Sequence, residues 1–224
     1  MTAIGGSRTR WRSQRCPRCS SGEYSDWLPD EPPNLIVDAG ANIGSATLWF
    51  RERFPNARII AIEPNPHAFS RLRRNVGGDL NVQLVNAALA AADGTGFFAC
   101  EPMTPVGRLQ AHDGPGVVSV EALTLATIRE RYADGARIDM LKLDVEGTEW
   151  PVLEGPLTNI GTIAMEIHDP VPGNRDPDAV LSEVAAREGF ELRQGVSETA
   201  APEKLRWLVP AAVPARHPEP QPTS

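Results

Sequence analysis

Leu35-Ile36-Val37-Asp38 leads directly into Ala39-Gly40-Ala41-Asn42-Ile43-Gly44. The apolar run is short and closed by a glycine turn, the pattern of a strand buried on both faces. Ile43 to Phe54 then has helical period, with Ile43, Thr47, Leu48 and Phe50 on one side, and stops at Pro55. A strand that feeds a helix through a tight turn opens a doubly wound α/β sheet. In such sheets the ligand lies outside the carboxyl ends of the strands, where strand order reverses. The segment Asp38–Gly44 is therefore the first place to look for chemistry.

The alternation continues. Arg58 to Glu63 reads as a strand and Pro66 to Val76 as a helix stopped by Gly77-Gly78. Asn81 to Val85 reads as a third strand. A turn-rich stretch, roughly Gly94 to Gly116, carries two β segments near Phe97 and Val117–Val120. Leu125 to Tyr132 is predicted helical, Ile138 to Leu143 and Ile160 to Ile167 extended, and Pro177 to Glu188 helical. Phe190 to Arg193 and Leu205 to Val209 are expected to close the sheet as an antiparallel pair. This order implies an α/β, mostly parallel sheet covered on both faces.

The ends differ. Residues 1–32 carry five arginines before residue 20 and no acidic residue before Glu23, which predicts a mostly disordered basic leader with Trp27 and Leu28 as a short lead-in. Residues 210–224 hold five prolines and read as a solvated tail, so the folded domain is expected over 33–209. Cys16 and Cys19 have the spacing of half a zinc site, but no second pair follows. With Cys100 they make an odd count and no disulfide framework, which suits the cytosol. No apolar run approaches the roughly 20 residues that span a bilayer. The net charge of −7 argues against a nucleic-acid backbone as partner. Oligomeric state is not legible.

The first turn discriminates between ligands. Its Gly40-x-x-x-Gly44 spacing is neither that of dinucleotide sites nor that of a phosphate loop. Gly40 permits a tight turn with close approach of a ligand, and Gly44 lets the new helix pack on the strand. Asp38, just ahead, would repel a pyrophosphate and suit a ligand with an ammonium group and no phosphate; S-adenosylmethionine is such a ligand. Glu63, at the tip of the second strand, can accept hydrogen bonds from ribose hydroxyls. Asn86-Ala87, after the third, offer an amide and a small residue beside an adenine edge.

In the second half, Lys142, Asp144 and Glu146 alternate at the end of an apolar strand and share one face. Lys142, inside the strand, needs a partner, either Asp144 or Glu166. Asp144, beside the first turn, can contact cofactor, acceptor or both. His168, at the tip of the fifth strand after Glu166, is the candidate base for an acceptor hydroxyl. Lys142, Asp144 and His168 are thus the catalytic candidates. Asp144, Glu146, Glu166 and His168 could alternatively hold Mg²⁺, although no dedicated ligand spacing marks a metal site, and none is assigned.

Five blocks in order resemble the FkbM-type methyltransferases: Val37–Gly44, Ala61-Ile62-Glu63-Pro64-Asn65-Pro66, Asn86-Ala87-Ala88-Leu89, Ile138–Glu149 and Met165-Glu166-Ile167-His168. The resemblance implies a Rossmann-like class I methyltransferase sheet of seven strands, the last antiparallel. It also implies S-adenosylmethionine as donor, held through Asp38, Gly40, Ala41, Asn42, Gly44, Glu63, Pro64, Asn86, Ala87 and Asp144. The common activity is oxygen methylation, on acceptors that include natural products and sugars. A small-molecule or glycan hydroxyl is the expected acceptor. A nicotinamide oxidoreductase is disfavoured by Asp38 and the missing dinucleotide spacing; a non-catalytic binding protein is disfavoured by Asp144, Glu166 and His168.

Overall fold

The computed structural model describes Tyr24, Asp26 and residues 28–100, 107–110, 112–195 and 204–211. Cys16, Cys19, Trp27 and the segment 212–224 lie outside these residues.

A seven-stranded sheet forms the centre, in the order β10-β11-β9-β8-β1-β2-β3. Its strands are β1 (Leu35–Ala39), β2 (Arg58–Ile62), β3 (Val82–Val85), β8 (Ile138–Leu143), β9 (Ile160–Glu166), β10 (Phe190–Gln194) and β11 (Leu205–Pro210). Neighbours from β3 across to β9 run parallel, and β11 inserts antiparallel between β9 and β10. The expected parallel sheet with an antiparallel last strand is what forms.

Alternation assigns the two faces. Leu35, Val37 and Ala39 join Ile60, Ile62, Leu141, Leu143, Ile163 and Met165 in one core, which also takes residues of α3 (Leu125–Ala133), α4 (Glu149–Glu154) and α5 (Pro177–Glu188). Ile36, Ile59, Met140 and Trp207 face the other way, toward α1 (Ser45–Arg53), while α2 (Pro66–Val76) covers Ala61 with Leu72 and Val76. Asn65 caps α2, its side chain accepting from the backbone of His67 and Ala68, with Pro66 at the first helical position. α5 matches its sequence expectation for the same reasons, with Asp176 as cap and Gly189 in the left-handed region at its end.

Two features depart from the sequence reading. The stretch after β3 builds a second sheet of four strands, in the order β4-β7-β5-β6, from β4 (Ala87–Leu89), β5 (Gly94–Cys100), β6 (Gly107–Gln110) and β7 (Val117–Leu123). β5 and β7 are the two expected segments; β4 and β6 were not foreseen, because each has only three or four residues, and β4 finds its partner β7 far along the chain. Packing also reaches back ahead of residue 33. Tyr24 is buried, with its ring 6.5 Å from Trp49 and 5.9 Å from Phe50. Among the described residues no helix is long and apolar enough to cross a membrane.

Candidate functional site

The turn after β1 is complete without a ligand. Gly40 and Ala41 both donate their amides to the Ile62 carbonyl, at 3.0 and 2.9 Å, and Asn42 donates to Glu63 Oε2 at 2.8 Å. A pyrophosphate would need such amides free; here β2 and Glu63 have them. Asn42 takes a positive φ of 51°, which asparagine tolerates. Its Oδ1 is buried without a hydrogen-bond partner.

The two glycines are required for reasons the sequence did not show. A Cβ at Gly40, where φ is +76°, would lie 1.7 Å from the Asp144 carbonyl oxygen. The close approach is to the backbone after β8, so it is the protein itself that excludes a side chain there. Gly44, at φ +96°, sits against Leu72, 2.8 Å from where its Cβ would be. The close approach it permits is to α2, while α1 itself also packs on β1 and β2.

Glu63 is nearly enclosed, and its Oε1 accepts from the Asn65 amide at 2.8 Å. Burial pushes its carboxyl up to about 7, against the pull of the Asn65 and Asn42 amides and of Lys142. It both staples the turn and lines the cleft. The Asn86 side chain donates to the carbonyls of Glu63, at 2.8 Å, and Pro64, at 3.3 Å. Its amide group therefore holds the β2 tip, and Asn86 itself marks the passage of the chain from one sheet to the other. Ala87 is fully buried in the core, and Ala88, its neighbour in the extended segment, faces the opposite way and lines the cleft. Leu89 belongs to the same core as Ala87 and also reaches the cleft.

Asp38 does not face the cleft. It is in register with Lys142 across the β1–β8 pair, so the two share a face. It is wholly buried, its Oδ2 accepting from Thr47 Oγ1 at 2.5 Å and its Oδ1 lying 3.4 Å from Lys142 Nζ. Lys142 donates to the Gly40 carbonyl at 2.7 Å and pairs with Asp144 Oδ2 at 3.1 Å. Burial works against its charge, but Asp144 and Asp38 outweigh that and hold its pKa well above the ordinary lysine value. Of its two expected partners Asp144 is found, Glu166 is not, and Asp38 is added. The ammonium straps the glycine turn to β8, a positioning task that leaves no reach to a substrate.

The remaining candidates meet in one corner. His168 Nδ1 lies 2.7 Å from Oε1 of the fully buried Glu149. Nε2 faces Glu146 Oε2 at 3.5 Å, Glu166 Oε1 at 3.8 Å and Asp144 Oδ1 at 3.9 Å. Burial disfavours the imidazolium, yet the bond from Glu149 and the other carboxylates raise the His168 pKa overall. Burial likewise raises the carboxyls of Glu146 and Glu166. Glu149 was not foreseen as a member. It begins α4, and its Oε1 and Oε2 accept the amides of Val145, at 3.2 Å, and Gly147, at 2.8 Å. The loop it gathers carries Glu146 and Gly147 at positive φ.

A cleft runs along the glycine turn and the loop after β8, lined by Gly40, Asn42, Glu63 and Pro64 together with Asp144, Glu146 and Thr148. Phe98, Gly107 and Leu109 of the second sheet supply a wall that the sequence reading missed.

A family described as the "Methyltransferase FkbM domain" matches residues 38–192, a span that begins at the buried aspartate and includes every residue of the cleft. The chain belongs to the FkbM methyltransferase family. Its relatives include Methyltransferase sdnD of Sordaria araneosa, 34% identical over an alignment of 163 positions that covers 57% of this chain and 61% of that protein. The Hexuronic acid methyltransferase AglP of Haloferax volcanii is 29% identical over 161 residues, 68% of this chain and 63% of the other. The 2-O-methyltransferase NoeI of Sinorhizobium fredii is 27% identical over 146 residues, 57% and 59%. This FkbM chain thus spans about three-fifths of the length of these relatives. Among solved structures, Methyltransferase FkbM from Methylobacillus flagellatus has the same fold, with a TM-score of 0.53 at 14% identity over 88% of this chain and 49% of that one. The fold is shared too by Aeropyrum pernix fibrillarin in complex with S-adenosyl-L-methionine, at a TM-score of 0.51 and 13% identity over 86% and 73%.

Proposed function

We propose that this protein transfers a methyl group from S-adenosylmethionine to a hydroxyl oxygen of a small molecule, natural product or glycan. One observation carries the choice of cofactor: the turn amides that a phosphate would need are already bonded to Ile62 and Glu63. A nicotinamide dinucleotide would find no anion site there, while a donor without phosphate loses nothing. The residues beside the turn suit such a donor. Glu63 offers a carboxylate for ribose hydroxyls, Asn42 an unpartnered buried oxygen for a cationic or N–H group, and Ala88 and Leu89 an apolar surface. The bound fibrillarin neighbour and the family membership support the same donor.

When bound, S-adenosylmethionine supplies an electrophilic methyl group on a sulfonium. The work left to the chain is to seat the acceptor oxygen in line and to relieve it of its proton. Asp144 and Glu146 line the same cleft, with Nε2 of His168 within 4 Å of both, and this corner is where the hydroxyl proton is drawn off. Nε2 of His168 is a ring nitrogen with no hydrogen bond to another described residue, and Glu149 fixes its direction. The relatives NoeI, a 2-O-methyltransferase, and AglP, a hexuronic acid methyltransferase, favour oxygen as the nucleophile and sugars as the first acceptors to try.

The test is a screen of sugar and natural-product alcohols with methyl-labelled S-adenosylmethionine, followed by mass spectrometry of the product. Label on oxygen is the expected result. Calorimetry showing NAD binding and no S-adenosylmethionine binding would overturn the reading.

A further inference from the structure

We propose that the corner is a divalent-cation site, with Asp144, Glu146 and His168 as its protein ligands. The inference deepens the proposed function: the cation, rather than a free imidazole, is what activates the acceptor hydroxyl.

The donor atoms are already gathered. One oxygen from each of Asp144 and Glu146 and one nitrogen of His168 lie within 4.8 Å of one another. Around an ion with bonds of about 2.1 Å, neighbouring ligands sit roughly 3 Å apart and opposite ones roughly 4.2 Å. The Nε2 separations of 3.5 Å from Glu146 and 3.9 Å from Asp144 fall inside that range. They are too long for strong hydrogen bonds, so the three groups face a common point without bonding each other.

Each ligand is aimed by a second group. Glu149, wholly buried, takes Nδ1 and turns Nε2 inward, the arrangement that orients a metal-ligating histidine. Lys142 holds Oδ2 of Asp144 and leaves Oδ1 to the corner. Glu146 sits in the left-handed region within the loop that Glu149 gathers. Charge points the same way. Asp144, Glu146, Glu149 and Glu166 all lie within 4 Å of the imidazole; against them stand Lys142, which is shared with Asp38, and Arg108 and Lys204, which act on Glu146 and Glu166. A 2+ ion neutralises this excess where one imidazole cannot.

Two carboxylate oxygens and one imidazole suit a hard or borderline ion such as Mn²⁺ or Mg²⁺ rather than a thiophilic one. Three protein ligands leave open positions facing the cleft. An acceptor hydroxyl that takes one of them would be acidified by the ion; its proton leaves to solvent, its oxygen bonds the methyl carbon as the carbon–sulfur bond breaks, and the electron pair stays on the neutral thioether, which departs as S-adenosylhomocysteine.

The full-length protein, stripped with chelator, is titrated with Mn²⁺ and free ion is followed by electron paramagnetic resonance. One saturable site is expected. Glu146→Gln, a partly exposed position, should weaken it at least tenfold with an unchanged circular dichroism spectrum and melting temperature. His168→Ala should do the same. Methyl transfer should cease in chelator and return with Mn²⁺ or Mg²⁺. Absence of a saturable site, or binding unaffected in both variants, overturns the proposal. So does full methyl transfer in chelator, which would leave the proposed function standing with His168 as free base. A saturable site lost in both variants, without transfer to any alcohol, would establish the cation and sink the proposed function instead.

Discussion

Glu63 shows how one side chain can tie cofactor affinity to pH. Its carboxyl titrates near 7 in the folded protein and near the ordinary 4.5 when unfolded, chiefly because burial disfavours the charge. Between those values the folded chain keeps a proton that the unfolded chain has lost. Stability of the ligand-free protein should therefore fall as pH rises through this window, by on the order of 3 kcal/mol, and level off above it. Urea titrations across pH 4.5–8 would show that slope, and Glu63→Gln should flatten it. Cofactor binding should run the other way. Ribose hydroxyls need the ionised carboxylate, so affinity should weaken about tenfold per pH unit below 7. Calorimetry in buffers of different ionisation enthalpy would detect the released proton. At pH 8, Glu63→Gln should cost about 1.5–3 kcal/mol of cofactor binding, the worth of hydrogen bonds to a charged acceptor.

The buried pair of Asp38 and Lys142 makes a second prediction. Removing one partner leaves an uncompensated charge, so Asp38→Ala should destabilise the fold by about 3–5 kcal/mol. Lys142→Met in the same chain should restore part of that loss. If Asp38→Ala melts like the wild type, the pair is not holding the strand. The pairing also shows where sequence reading stops. Gly40 and Glu63, singled out from the strand–turn–helix pattern, do line the cleft, whereas Asp38, singled out with them, is buried beside Lys142 instead. Asp144 was expected beside the first turn, but the pairing of Lys142 with Asp38 was not, because it depends on the register of β8 against β1. Glu149 looked like any acidic residue at a helix start; its burial is a property of the packed loop.

At the scale of elements, periodicity carried the reading. α2, β8 and α5 were legible to the residue, because caps, prolines and apolar period agree there. The four-stranded sheet was half visible, since strands of three or four residues carry too little pattern to register. That sheet matters to the cleft through Phe98, Gly107 and Leu109. A Cβ at Gly107 would come within 2.3 Å of the Phe98 ring, so Gly107→Val should push the wall inward. Cofactor or acceptor affinity should then fall at least tenfold, by calorimetry, while the central sheet keeps its circular dichroism. At the other end of the chain, the Tyr24 ring packs on α1. Tyr24→Ala should cost about 2–4 kcal/mol in urea unfolding, as for other large-to-small changes in a core. No change would mean that this segment is not part of the folded unit.

Considered as a whole, the molecule places its chemistry along one edge of a rigid sheet. The central strands β1, β2, β8 and β9 are buried on both faces, and the residues at the carboxyl ends of the first three line the cleft. Binding that favours the folded state stabilises it by mass action, by about 2.7 kcal/mol at a hundred times the dissociation constant, and so raises its melting temperature. S-adenosylmethionine should therefore raise the melting midpoint in a thermal scan, and NAD at the same concentration should leave it unmoved. The reverse pattern would contradict the cofactor assignment.

The glycine turn, with its amides already bonded to Ile62 and Glu63 and its carbonyl to Lys142, has a further consequence in time. A loop that must be ordered by its ligand binds in two steps, and the slower one saturates as ligand concentration rises. Here there is no loop left to order. Cofactor capture in stopped flow should be a single exponential whose rate climbs linearly with concentration, the behaviour of a receptor already in its binding shape before the encounter.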